Sequence, residues 1–448
     1  MPMCALGPTS LSTRLRSDGS VNQPVVRDAV QVEEVAHQSL QVGRLLLLNG
    51  ADTAQVEAAV ARFAAAFGCE AHLMVSYEAL LLTIVAGDHF RTKIGFRVPA
   101  MNVGMTAIEA INRLVEDAES GRCGLGETRA ELDRVEHLPP EYGRWLVVVA
   151  LGLTAASLSR LFGGDWPTFV IAGLAGAAGT WLRQELGRRH FNPIVIPFAA
   201  ACLSGVIGGA AVLLGASGTP VLCLVAPAMI IVPGVPLING VQDMIKNHMT
   251  LGLSRLGSAG LVTVAIGLGL FVATTVTGAQ IPVAASTRVI GVPEDAAFSA
   301  LAAVGYALLF NVPLRIAWAC MACGVASHTL RTLLFHNGID LITGTLIGSL
   351  AASCLAEGFA RHFQAPAAAF AFPGVVAMVP GAYAFRAVIG SLEIAHATGG
   401  PQLVADTLAL GFTVMLMVGA IAVGIAAPVL FLAPLRQSGR HRGIECGS

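Results

Sequence analysis

From Trp145 onward one apolar run follows another, each long enough to cross a hydrocarbon core of about 30 Å. In lipid every backbone N–H and C=O must be satisfied within the spanning segment, so these runs are expected to fold as helices. They read as 145–162, 166–182, 194–215, 220–240, 251–276, 296–313, 315–335, 339–358, 367–388 and 404–432, ten in all. The fourth and ninth are interrupted by proline and glycine. Composition agrees: mean hydropathy is +0.71 and only 12% of residues are charged, against roughly a quarter in a soluble domain. Of 27 Lys/Arg and 28 Asp/Glu, 12 and 17 fall in the first 138 residues. One region faces water and the other avoids it. A net charge of −1 offers no basic surface to nucleic acid. Five of the nine cysteines, Cys202, Cys223, Cys320, Cys323 and Cys354, lie in apolar runs as small hydrophobes. Cys320-x-x-Cys323 has redox spacing without a βαβ context, so packing is the stronger reading.

Residues 1–31 read as a disordered tail, and 32–120 as a small cytoplasmic α+β domain. In the latter, helical periodicity over 33–48 stops at Asn49-Gly50. Asp52 then caps a second helix to Phe67, with Gln55 closing a capping box. β-rich runs at 71–75, 79–86 and 90–98 follow, the last two joined as a hairpin through Gly87-Asp88. A third helix covers about 106–120, and 121–142 is expected as a charged linker. His72, Ser76, Glu78, Asp88 and His89 cluster on the β-rich stretch. No nucleophile elbow, zinc signature or phosphate loop accompanies them. The expectation is a chain with no catalytic set, metal or cofactor; a hydrolase would have only Ser76 with His72 or His89.

The membrane region divides into 143–276 and 296–435, with a loop at 277–295 and a tail at 436–448. Gly179-Thr-Trp-Leu-Arg183 aligns with Ser327-His-Thr-Leu-Arg331 at a shift of 148, and Ile231-Val-Pro-Gly234 with Met378-Val-Pro-Gly381 at 147. Two anchors in near agreement predict duplicated five-helix units. Five is odd, so the second unit enters the membrane inverted, as in many secondary transporters. With the N-terminus in the cytoplasm, eleven Lys/Arg fall on the inner side. Four fall on the outer: Arg160, Arg288, Arg331 and Arg386. This positive-inside bias predicts both termini in the cytoplasm.

The stretch Val232-Pro-Gly-Val-Pro-Leu-Ile-Asn-Gly-Val-Gln-Asp243 breaks its helix, since Pro233 and Pro236 remove backbone donors and Gly234 has no preference for the helix. Asn239, Gln242 and Asp243 follow. The matching break, Pro380-Gly381, precedes Tyr383 and Arg386. Irregular backbone in a membrane is tolerated where it is buried in protein or lines a wet cavity. Interrupted helices at equivalent places in two repeats point to a substrate site. Arg386 would take a carboxylate there, and Asp243 a cation or ammonium. Two kinked helices whose charges snorkel to opposite interfaces would carry the same residues. His328, Glu357 and Asp406 are candidates for a coupled proton. Arg183 and Arg331 share one repeat position.

Gly43-Arg-Leu-Leu-Leu-Leu-Asn-Gly-Ala-Asp-Thr-Ala-Gln-Val-Glu57, then Arg62 and Gly68, resembles the opening of the threonine/serine exporter family. The paired Pro-Gly breaks, with Asp243 and Arg386 after them, are similar to that family's membrane region. The resemblance implies a ten-helix exporter in the cell membrane, with a cytoplasmic N-terminal domain, moving threonine and serine outward on the proton motive force. Some relatives split this architecture over two chains and are linked to succinate export, so a dicarboxylate is the alternative substrate. It also carries interest onto Gly50, Glu57, Arg62, Arg97 and Asn102, and onto Pro233, Gly234, Asp243, Pro380, Gly381 and Arg386. The partners so implied are a small polar metabolite, protons and the bilayer; oligomeric state stays open.

Overall fold

A computed structural model describes residues 29–87, 89–96, 103–279, 283, 289–363, 365–396 and 400–445. The expected tail before residue 29, together with Arg97 and Asn102, lies outside the described residues. The N-terminal unit opens with α1 (Ala29–Leu48) and α2 (Thr53–Ala66), separated by the turn at Asn49-Gly50. Asp52 caps α2 by accepting the Gln55 N–H at 3.1 Å. Strands β1 (Glu70–Val75), β2 (Ala79–Ala86) and β3 (His89–Phe96) form an antiparallel sheet in that order. Along β2 side chains alternate, and Leu80, Leu82 and Ile84 enter the core with Phe63 of α2 and Leu46 of α1. Helix α3 (Met105–Glu119) adds Ile108, Ile111 and Val115 to it.

The expected linker is a correction. Residues 121–142 contain α4 (Leu125–Glu136), whose Leu132 and Val135 are buried against the same core. Its charged outer face hides an apolar stripe only two residues wide, and the Glu127 carboxylate accepts the Gly124 N–H at 2.9 Å at its start. The Thr128 hydroxyl, donating to Gln38 Oε1 at 2.5 Å, ties it to α1.

The remaining helices are α5 (Arg144–Leu161), α6 (Trp166–Arg188), α7 (Val195–Leu213), α8 (Pro220–Met229), α9 (Gly234–Ile245) and α10 (Met249–Thr277). They continue with α11 (Val292–Leu309), α12 (Leu314–His336), α13 (Leu341–Phe363), α14 (Ala367–Val375), α15 (Gly381–Ala395) and α16 (Pro401–Glu445). Among the described residues six are long and apolar enough to cross a membrane, or eight when each bent pair counts as one span. The chain is a helical membrane protein. The bends, of 63° between α8 and α9 and 47° between α14 and α15, fall at the two Pro-Gly pairs. Helix α16 runs as backbone through the expected C-terminal tail to Glu445.

Helices α5 and α6 begin and end 148 residues before α11 and α12, with equal lengths of 18 and 23 residues. Neighbours correspond as well: α5 packs on α6, α6 on α7 and α7 on α10, as α11 does on α12, α12 on α13 and α13 on α16. Each set also crosses to the other, α10 onto α15 and α16 onto α9. Close approach depends on small residues. A methyl group at Gly152 would stand 2.9 Å from Gly173 O.

The expected loop 277–295 is shorter than read. Gly278, at φ 71°, ends α10, and α11 starts at Val292 with Pro293 and the acidic Glu294 and Asp295 in its first turn. Proline and acidic groups belong there because the first N–H groups are unpaired and carry partial positive charge. Asp295 is therefore helical, and it is buried.

Candidate functional site

Gly234 and Gly381, just past the two breaks, each pack against the segment that leads into the other break. A methyl on Gly234 would lie 3.3 Å from Val376 Cγ1 and Val379 Cγ2, and one on Gly381 would lie 2.9 Å from Val232 Cγ2. The contact sets each glycine against valines of the other break and is apolar, with Val376 and Val379 buried and Val232 half-buried. The breaks thus meet, and Asp243 and Arg386 lie farther along α9 and α15.

Asp243 lies at the seam with the N-terminal unit. It is fully buried, and Arg255 of α10, also buried, donates to its Oδ2 at 2.6 Å. The Thr53 N–H donates to its Oδ1 at 3.1 Å. Arg255 reaches on to Ala51 O at 3.0 Å, and Asn239 Nδ2 donates to Gly50 O at 3.0 Å. Gly50 adopts φ 89°, a conformation that favours glycine and presents its carbonyl to the membrane helices. At the rim Lys246 pairs with Asp52 at 3.0 Å, His248 lies 3.6 Å from Glu57, and Tyr77 donates to the Ser258 hydroxyl at 3.0 Å. Gln242 is buried on the same helix. The cation expected for Asp243 is the chain's own guanidinium, a correction to reading it as an open substrate group.

The unit also grips the other half of the bundle. Asn311, at φ 50°, accepts from the Thr106 N–H (3.2 Å) and hydroxyl (2.6 Å), and Phe310 O accepts from the Met105 N–H at 2.9 Å. Glu109 forms an ion pair with Arg315.

A second polar group lies toward the opposite end of the bundle. Asp295 Oδ2 accepts from His328 Nδ1 at 2.7 Å and from the Thr332 hydroxyl at 2.6 Å. Arg331 donates to His328 Nε2 at 2.5 Å. Asp295 Oδ1 is buried without a hydrogen-bond partner among the described residues. Arg331, Thr332 and half-buried Tyr383 line a pocket whose other walls include Phe162, Phe335 and Met417. Tyr383 lies within electrostatic reach of both Arg331 and Arg386. Arg386 donates to Val283 O and lies within similar reach of Asp406 of α16.

Glu357 is buried toward the opposite end of α13 from the pocket-lining Leu341. Asp406 accepts from Gln402 at 2.9 Å. Arg62 pairs with Glu119 on the exposed side of the N-terminal unit. The Ser76 hydroxyl closes its own turn on Ala79, accepting its N–H at 3.1 Å, and His72 points outward beside Glu70. Cys320 and Cys323 are free, buried thiols. Sequence reasoning missed Arg255 and Asp295. The Pro293-Glu-Asp295 start before an apolar run was the signal for Asp295; for Arg255 there was only a lone charge in an apolar helix.

Two family models divide the chain. The one described as "Putative threonine/serine exporter" matches residues 37–277, and "Threonine/Serine exporter, ThrE" matches 295–431. A "Probable threonine/serine exporter" of Mycobacterium tuberculosis is 25% identical over 90% of this chain and 78% of its own length. The "Probable succinate transporter subunit YjjP" of Escherichia coli is 30% identical over 55% of this chain and 96% of its own. An "Uncharacterized protein" of Haemophilus influenzae is 20% identical over 88% and 94%. No solved structure matches. With one model spanning more than half of the chain and the second most of the rest, the chain belongs to the threonine/serine exporter family.

Proposed function

We propose that this chain exports a small amino acid of the threonine or serine kind from the cytoplasm, driven by the proton motive force. Ten spanning segments, in two inverted five-helix repeats in the cell membrane, would carry it, with the N-terminal unit and both termini cytoplasmic. The matched helix boundaries and reciprocal packing support the repeats, and the Lys/Arg bias supports the orientation. The observation that carries the reading is the pocket at Arg331, Thr332 and Tyr383. A guanidinium, a hydroxyl and a phenol among apolar walls suit a carboxylate bearing a small side chain. His328, hydrogen-bonded to Asp295 beside it, is the best placed of the three proton candidates.

A dicarboxylate is the second reading, favoured by the reach of Tyr383 to two guanidinium groups and by the name of the Escherichia coli relative. Proteoliposomes loaded with labelled threonine, serine or succinate test both. Efflux of one of them, accelerated by an opposing proton gradient and lost in Arg331→Gln, is expected. Efflux equal to that of empty liposomes for all three would sink the export reading.

A further inference from the structure

His328 makes two hydrogen bonds that fix its state. Nδ1 donates to Asp295 Oδ2, so Nε2 is left as the acceptor for Arg331. Neutral His328 is thus the group that holds Arg331 in place at the pocket wall. A proton arriving at Nε2 removes the acceptor and sets an imidazolium against a guanidinium, while Asp295 stabilises the imidazolium through Nδ1. Arg331 must then leave its position, and the carboxylate site is dismantled.

We infer that His328, backed by Asp295, is a proton-operated positioning residue: a proton at Nε2 and a substrate carboxylate at Arg331 exclude one another. Mutual exclusion of this kind is what exchange of an outgoing acid for an incoming proton requires. The inference deepens the export reading and rests on it.

The surroundings favour one titrating group. From α12 itself the charged neighbour is Arg331 and from α11 it is Asp295, while the neutral Tyr383 phenol of α15 lies within reach of Arg331. On α11 and α5, Glu294 is tied to Arg160 by an ion pair. Helix α14 carries no titratable residue, and Glu357 sits at the far end of α13. At the same offset of 148 the first half has Arg183 but Thr180 and Val147 in place of His328 and Asp295, so the device exists once.

Equilibrium binding of labelled threonine and of succinate to the purified full-length protein, between pH 5 and 8, tests this. Wild type should bind more weakly as pH falls, approaching about tenfold per pH unit for one competing proton. In His328→Gln the side-chain carbonyl still accepts from Arg331 but takes no proton, so binding should be nearly independent of pH. Asp295→Asn should move the wild-type curve to lower pH. A His328→Gln curve that tracks wild type overturns the inference and leaves the export reading standing. Should His328→Gln not fold, an unshifted Asp295→Asn curve overturns it instead. Wild type binding neither ligand at any pH would remove the export reading and this inference with it.

Discussion

Asp243 and Arg255 form a buried ion pair between neighbouring helices, and such pairs stabilise little but are expensive to break. Asp243→Ala strands a guanidinium away from water and should lower stability by about 3–5 kcal/mol, read from denaturation of the purified protein. Replacing both, Asp243→Leu with Arg255→Met, should recover most of that loss. A double variant as unstable as the sum of the two single variants would count against the pairing. From the sequence alone Asp243 stood out, because a carboxylate beside a broken membrane helix is seldom idle. Its partners did not, since Thr53 lies 190 residues away in the chain and no local pattern records that meeting. Gly50 and Glu57, singled out by resemblance, gain a physical reason here: both sit at the seam with α9 and α10.

At the level of elements, local chemistry announced most of the architecture and mislaid some boundaries. The Pro-Gly breaks were legible because proline cannot donate and glycine does not favour the helix; the bends fall there. That each break would pack its glycine against valines of the other was not legible, since it depends on how two halves cross. Helix α4 escaped notice because Gly124 and Gly126 suggested a linker and its apolar contribution is narrow. Leu132→Ala should cost about 2–5 kcal/mol in the stability of the N-terminal unit if α4 is part of its core, and nearly nothing if it is a tether. Gly240→Ala tests the tightness of α9 on α10, where the added methyl would stand 2.9 Å from Leu256 Cγ and 3.1 Å from Gly252 O. A loss of about 1–3 kcal/mol is expected, checked by thermal unfolding.

For the whole molecule the seam couples the N-terminal unit to the membrane bundle, and acid should act on it. Burial is the largest influence on Glu57 and raises its pKa; His248 pulls the other way, and nearby Asp243 adds to the rise. A raised carboxyl pKa favours the folded form below the usual carboxylate range, and that contribution is lost as pH rises through the raised value. Glu57→Gln should therefore be more stable than wild type at neutral pH, with the gain vanishing on acidification, measured as paired melting curves. Glu136 behaves oppositely: its hydrogen bond from Arg44 lowers its pKa, so the stability it lends is lost as pH falls. Several polar atoms at the seam, Thr53 Oγ1, Asn239 Oδ1 and Arg255 Nε, are buried without hydrogen-bond partners among the described residues. A joint with such loose ends is suited to opening. Because the N-terminal unit is fastened at Asp243 on one half and at Asn311 on the other, it works as a tie-rod between them. Any rocking of one half against the other must stretch that rod or release one of its two pins.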